Sequence, residues 1–542
     1  MSTSNILRGT MLLTAATFLS KFLGMIYTIP FNELVGATGG ALYGYAYGPY
    51  NILISMSTIG VPLAVSKFVS KYNAMGDYYT GRRMFKAGMS LMIITGIIAF
   101  LILYFSSGLL AKIYVPSNDP SGIIAEDVEM VLKMISFALL IIPSMSIIRG
   151  FFQGYESMGP TALSQVVEQI VRIVFLLSAA FLIIHVFSGS VTTAVGYAAF
   201  AAFVGAVASY IVLGLYWKKR KQYLDRQVAS QRKTHQIPLR DLYKELFRYA
   251  GPFVLVGLAT PLYQQIDAIT FERTMSAIGQ GEISAIAFSN ISVYGHKLVI
   301  IPVTIATGLS LAILPAITKS VTERNMPLAF RQINQSLQIV MLLVLPASVG
   351  MSLLSYEVYG AFYGIENINI NGPLLAWYAP VALLFAFFTV TSSILQGINQ
   401  QRFAVTSLGA GLLLKICLNV PLMYALGAKG AVVGTSLAVL TAIILNFWRI
   451  KQTIGFPMRE FTKRSSLMAI FTILMTMAVL ITKWILGFWI SYEDSRFAAI
   501  VTLMVAIPVG ALVYLWFSYE STLFERTLGN RVRIFDRIFR RR

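Results

Sequence analysis

Fourteen stretches of this chain stay apolar for roughly 20 residues or more, the length a helix needs to cross the hydrocarbon of a bilayer. They fall near 6–31, 40–66, 84–107, 129–151, 160–186, 191–217, 246–271, 290–317, 329–355, 374–396, 402–425, 429–449, 465–488 and 496–518. In lipid each backbone N–H and C=O must be satisfied within its own segment or a closed barrel. Runs this long and this apolar therefore predict an all-α polytopic membrane protein. Composition agrees: 56% of the residues are hydrophobic and 12% charged, whereas a soluble domain carries about 25% charge. The first run is too long for the apolar core of a secretion signal and lacks a small-residue cleavage site, so it reads as the first span.

The connections fix an orientation. After spans 1, 3, 7, 9 and 13 they carry acids: Glu33, then Asp119, Glu126 and Asp127, then Glu272 and Glu282, then Glu357 and Glu366, then Glu493 and Asp494. The alternate connections carry bases: Lys67, Lys71, Arg82, Arg83 and Lys86, then Arg149, then a long basic stretch, then Lys319, Arg324 and Arg331, then Arg402, then Arg449, Lys451, Arg459, Lys463 and Arg464. Isolated bases such as Lys112, Arg273, Lys429 and Arg496 interrupt the pattern without breaking it. Basic connections remain in the cytoplasm, so both termini are expected there and the number of spans is even. The net charge of +20 is thereby explained by topology, and nucleic acid is not expected as a partner.

An internal repeat is visible. A shift of 243 residues carries Gln153-Gly154 onto Gln396-Gly397, Ser164 onto Ser407 and Arg172 onto Lys415, and each copy follows a span with a proline, Pro143 or Pro380. A second echo, at 248, sets Gly60-Val61-Pro62-Leu63-Ala64-Val65 beside Gly308-Leu309-Ser310-Leu311-Ala312-Ile313. Two copies of six spans that both start inside are parallel repeats, an arrangement that places a substrate site at their interface and works by rocking. The expected division is an N-lobe over 1–217, a basic cytoplasmic linker over 218–245, a C-lobe over 246–450, two additional spans over 451–518 and a basic cytoplasmic tail over 519–542. In the tail Leu523, Phe524, Leu528, Val532, Ile534, Phe535, Ile538 and Phe539 interleave with arginines, which suits a helix lying on the inner leaflet. The linker and its Lys218-Lys219-Arg220-Lys221 run suit contact with anionic lipids.

Ionisable and polar groups at membrane depth are costly and so are candidate functional residues. Lys21 lies midway along span 1. Glu168 and Arg172 are four apart in span 5, spaced to pair with each other. Gln264, Gln265 and Asp267 fall in the outer half of span 7, His296 and Lys297 in the outer part of span 8, and Lys415 with Asn419 in span 11. Bases outnumber acids, and a cationic cavity suits an anionic substrate such as phosphate or pyrophosphate. A drug/cation antiporter would need an acidic cavity, for which Asp267 and Glu168 are the candidates. A scaffold that transports nothing would need no charge at depth. Prolines within spans, such as Pro261, Pro302, Pro346 and Pro421, favour helices that bend.

The lone cysteine, Cys417, and the scattered histidines His185, His235 and His296 form no metal-ligand spacing. With no Walker loop either, no cofactor and no metal are expected, and the chain reads as a transporter rather than an enzyme.

The segments Thr17-Phe18-Leu19-Ser20-Lys21-Phe22-Leu23-Gly24, Gly60 through Lys67, Arg149-Gly150-Phe151-Phe152-Gln153-Gly154 and Glu168-Gln169-Ile170-Val171-Arg172-Ile173 resemble the MurJ-type lipid II flippases and related polysaccharide exporters. The likeness is strongest to the Gram-positive branch that includes stage V sporulation protein B, in a superfamily that also holds the MATE exporters. The resemblance implies two six-helix lobes around a cavity and a pair of final helices that form a groove for the lipid tail. The implied activity is flipping of undecaprenyl-pyrophosphate-linked disaccharide-pentapeptide, in a bacterial plasma membrane, by a monomer associated with cell-wall synthesis proteins. Lys21 matches the arginine of the family's span-1 motif, and His296 and Lys297 match a basic pair ahead of a proline, here Pro302. Tyr27 and Ser55 stand where some members carry arginine; Arg172 and Lys415 are the residues to which that charge would have moved. Export of another undecaprenyl-linked glycan remains the alternative.

Overall fold

The computed structural model describes residues 3–58, 60–116, 122–231, 238, 240–244, 246, 254, 257–490 and 495–523. Asp119, Glu493, Asp494, the tail beyond Leu523, most of the first part of span 7 and a part of the linker around 232–237 lie outside these. The described residues are almost entirely helical and contain no strand. Two compact units divide the chain, 1–276 and 277–542.

The first unit holds α1 (Thr3–Ile26), α2 (Thr28–Thr58), α3 (Val61–Ala74), α4 (Tyr78–Tyr114), α5 (Ala125–Ser136), α6 (Ala138–Gly154), α7 (Met158–Phe181), α8 (Val191–Ser230) and α9 (Ala259–Ala277), which ends at the boundary. The second holds α10 (Ser284–Ser289), α11 (Gly295–Thr322), α12 (Met326–Leu353), α13 (Ser355–Tyr363), α14 (Ile368–Tyr378), α15 (Val381–Gly397), α16 (Gln401–Leu426), α17 (Ala428–Ile454), α18 (Met458–Gly487) and α19 (Arg496–Glu520). Each predicted span overlaps a helix or a broken pair of helices. Among the described residues, eleven helical segments are long and apolar enough to cross a membrane by length and composition. The predicted spans outside that set are 1, 2 and 7, so a count of fourteen is compatible with the structure. Span 2 is held back by polarity, since α2 carries Tyr43, Tyr45, Tyr47 and Tyr50; of span 7 the described residues include chiefly the polar second part, α9, with Gln264, Gln265, Asp267, Glu272 and Arg273.

The repeat extends to individual backbone bonds. At the end of α6 the amide of Ser157 closes back onto Phe152 O at 2.9 Å, and at the end of α15 that of Gln400 closes onto Leu395 O at 2.7 Å. Both turns use a left-handed residue at the same register, Glu156 (φ 56°) and Asn399 (φ 59°), the conformation that ends a helix in a Schellman turn. The spans leading into these turns break at Phe137 and at Pro380, again 243 residues apart, with matching bonds Leu140 N to Phe137 O at 3.2 Å and Leu383 N to Pro380 O at 3.1 Å. At the other offset, Asp77 N bonds Tyr72 O at 2.9 Å and Asn325 N bonds Ser320 O at 2.8 Å. Asp77 and Asn325 then cap the next helix, accepting from Thr80 N at 3.0 Å and from Leu328 N at 3.2 Å. A side-chain acceptor at that position satisfies an amide the helix itself cannot.

Helix packing repeats as well. A Cβ on Gly154 would stand 2.8 Å from Ser66 O and from Val69, and one on Gly397 would stand 3.0 Å from Ile317. Small residues at such crossings let backbones approach, which is how helices associate when lipid is as apolar as their own side chains. In the first unit α3, α4, α6 and α8 enclose a core built on Val65, Phe68, Met84, Phe85, Phe151 and Phe152. The Phe85, Phe151 and Trp217 rings lie 4.6–5.2 Å apart there.

Candidate functional site

In the first unit, α1 lies against α7. Thr17 donates to Gln165 Oε1 at 3.2 Å, and Gly24 leaves only 3.2 Å between its would-be Cβ and Gln169 Nε2. Thr17, Lys21 and Gly24 share one helical face, so Lys21 sits on the stripe turned toward α7, with its side chain exposed.

Arg172 is held by phenols. Its Nη2 donates to Tyr43 Oη at 3.3 Å and to Tyr47 Oη, and the guanidinium lies 5.6 Å from the Tyr47 ring centroid. Tyr43 and Tyr47 stack at 4.1 Å, Tyr50 meets Tyr47 edge-on at 5.4 Å, and the Tyr27 and Tyr43 hydroxyls are 3.2 Å apart. No described carboxylate pairs with Arg172, and its Nε is buried without a hydrogen-bond partner. This is a guanidinium at membrane depth whose positive charge is solvated by hydroxyls and ring faces, with a donor to spare.

Glu168 does not pair with Arg172. Its Oε2 accepts from Arg149 Nη2 at 2.6 Å, and Arg149 also donates to Ser164 at 2.9 Å and Ser209 at 2.7 Å. The reason is packing. Gly205 lets α8 ride over α7 at Glu168 and Arg172, where an added Cβ would stand 2.8 Å from Glu168 O, and α6 brings Arg149 to Glu168. Arg149 is thus not a free loop base but the hub of α6, α7 and α8. The second unit builds its counterpart with amides: Asn446 of α17 receives Ser407 Oγ of α16 at 2.6 Å and donates to Thr391 of α15 at 3.1 Å.

On α9, Gln265 donates to Tyr114 Oη at 2.5 Å and Asp267 is buried. Glu272, expected in an outer connection, is instead fully buried within α9, where Tyr45 donates to its Oε2 at 3.2 Å. Glu357 likewise leaves its expected loop: it is buried on α13 and pairs with Lys483 of α18 at 2.8 Å.

In the second unit, His296 Nδ1 and Tyr378 Oη are 2.7 Å apart, linking α11 to α14, with Lys297 half-buried beside it. Lys415 is 0% exposed and donates to Thr435 at 2.7 Å, inside the contact of α16 with α17. Asn419 lies one turn along, its Oδ1 2.8 Å from where a Gly434 Cβ would stand. The structure therefore places Lys21 on the α1 stripe toward α7 and Arg172 among the α2 tyrosines, and leaves His296 and Lys297 on one helix pair and Lys415 and Asn419 on another.

The tyrosine cluster was missed by reasoning from charge alone. Its signal is nonetheless in the sequence: Tyr43, Tyr47 and Tyr50 follow the spacing of one helical face.

Comparison with known proteins gives a consistent picture. A family model described as polysaccharide biosynthesis protein matches residues 6–321. The chain is 47% identical to a Bacillus subtilis (strain 168) protein named lipid II flippase MurJ, over 98% of each chain. A solved structure of a lipid II flippase MurJ in an inward closed conformation superposes with a TM-score of 0.65 at 16% identity, covering 96% of this chain and 99% of that one. An inward-facing MATE family transporter superposes with a TM-score of 0.59 at 15% identity, covering 81% and 99%.

Proposed function

The chain belongs to the polysaccharide biosynthesis protein family and, within it, to the MurJ-type lipid II flippases, and we propose that it moves lipid II, an undecaprenyl-pyrophosphate-linked peptidoglycan precursor, from the inner to the outer leaflet by alternating access. The observation that carries the site assignment is Arg172. A pyrophosphate diester crossing a bilayer must exchange water for fixed donors. A guanidinium unpaired with any described carboxylate, with Nε unused, is pre-organised for that exchange. Lys21 on α1 and Lys297 in the second unit are the further cations, with the His296 imidazole a neutral polar group beside Lys297. Lys415 and Asn419, enclosed between α16 and α17, hold that helix pair together.

The prenyl chain has a surface to follow on α18 and α19, where Ile470, Ile473, Met477, Ile481 and Trp484 are exposed along α18. The basic connections support a topology with both termini in the cytoplasm. The test is rescue: the chain restores growth to bacteria depleted of lipid II flipping, and Lys21→Ala with Arg172→Ala abolishes rescue while the protein is still inserted. Full rescue by the double variant overturns the site assignment. Failure of the unaltered chain to rescue overturns the substrate.

A further inference from the structure

We infer that the second unit carries a separate binding site, between α12 and α18, for the phosphodiester headgroup of an anionic phospholipid. A cavity of roughly 510 Å³ opens there, lined by Arg331, Asn334, Gln338, Glu460 and Arg464 among others. Phe330 and Phe456, in edge contact at 5.9 Å, form part of its wall.

The cavity floor is polar and incompletely satisfied. Arg464 donates from Nη1 to Gln338 Oε1 at 2.8 Å and pairs through Nη2 with Glu460. A guanidinium only donates, so the carbonyl of Gln338 must face it and the Gln338 amide nitrogen must point elsewhere. That nitrogen is buried without a partner, as is Asn334 Oδ1. Gln338 is 0% exposed and Asn334 8%. The two residues are four apart on α12, neighbours on one face. A donor and an acceptor left open side by side in a cavity call for a ligand, and a hydroxyl, which both donates and accepts, answers both.

Charge narrows the choice. Two arginines and one glutamate leave a single net positive charge, matched to a monoanionic phosphodiester. Arg331 is exposed at the rim, placed to meet the phosphate first, and Arg464 has donors remaining below it. The cavity also lies at headgroup level. It is bounded by the start of α12 and by the Phe456-Pro457 turn before α18, both in the basic connections, with Arg459 and Lys463 exposed beside it. A hydroxyl-bearing anionic headgroup such as phosphoglycerol satisfies every element, whereas a phosphocholine headgroup offers neither hydroxyl nor net charge. The site needs no part of the flipping machinery and stands whether or not lipid II is the cargo.

The experiment is native mass spectrometry of the full-length protein titrated in detergent with short-chain phosphatidylglycerol, phosphatidylcholine, or glycerol 3-phosphate. Phosphatidylglycerol is expected to bind at least tenfold more tightly than phosphatidylcholine. Gln338→Leu and, separately, Arg331→Gln at the exposed rim are each expected to weaken it about tenfold, the effect of one hydrogen bond. Equal binding of the two lipids, or phosphatidylglycerol binding unchanged in Arg331→Gln, overturns the proposal. Glycerol 3-phosphate binding as tightly as the lipid would make the ligand a soluble phosphate ester and overturn the lipid assignment.

Discussion

Arg172 and Arg149 are two half-buried arginines on neighbouring helices with opposite fates. Arg149 has a carboxylate, Glu168, at 2.6 Å and spends its other donors on serines. Arg172 has tyrosines. The first is a structural pair: replacing one member strands a charge in low dielectric, so Glu168→Gln should lower stability by about 3 kcal/mol, read as a fall in the thermal unfolding midpoint of the detergent-solubilised protein. If the second is the substrate group we propose, its planar fork matters, and Arg172→Lys should fold normally and still lose most flippase rescue. Rescue by Arg172→Lys at the wild-type level would show that charge alone suffices. Lys415→Met, which keeps length and packing at a fully buried site, should retain rescue; loss of rescue in a stable protein would return Lys415 to the substrate path. Lys21, Arg172 and the His296-Lys297 pair stand out in the sequence because charge at depth is rare. The pairing of Glu168 was not legible there: Arg172 is one turn away along the helix, while Arg149 reaches Glu168 only through the α6–α7–α8 packing.

Helices end, cap and cross in the same way in both halves, and this is the scale at which sequence reading served best. The Gln-Gly dipeptides at 153–154 and 396–397 already mark the turns that Glu156 and Asn399 complete. The equivalent helix caps, Asp77 and Asn325, were legible only in retrospect, because the loops around them share function rather than residue type. Close crossings are directly testable. Gly154→Ala must push against Ser66 O and Val69 at 2.8 Å and should cost about 1–3 kcal/mol, the price of overpacking. Gly214→Ala on α8, where nothing lies within 4 Å, should be neutral or slightly stabilising. Equal effects in thermal unfolding would show that the α3–α6 contact is not tight. The short helix α13 is gripped at both ends by the last two spans, through Lys483 to Glu357 and through Arg496 to the carbonyls of Ala361 and Phe362 at 2.9 and 3.1 Å. Loop-charge counting took Glu357 for a topology signal because a glutamate between spans looks alike whether it meets water or a lysine.

At the scale of the molecule, the number and polarity of apolar runs determine the class of fold, because lipid permits so few alternatives. The span α2, which departs from a clean hydropathy signal, is the one that carries the tyrosine cluster. The site is harder to read than the fold, since hydroxyl-rich anion sites leave no charge pattern. We propose that this chain transfers lipid II across the bilayer using Arg172. The most direct measurement is the fraction of lipid II cleaved by a membrane-impermeant hydrolase added outside cells whose own flippases have been depleted. Expression of the chain should restore cleavage to the undepleted level, and the Arg172→Ala protein, inserted in equal amount, should leave it near the depleted level. Cleavage that stays low with the unaltered chain, or is fully restored by Arg172→Ala, would contradict the account.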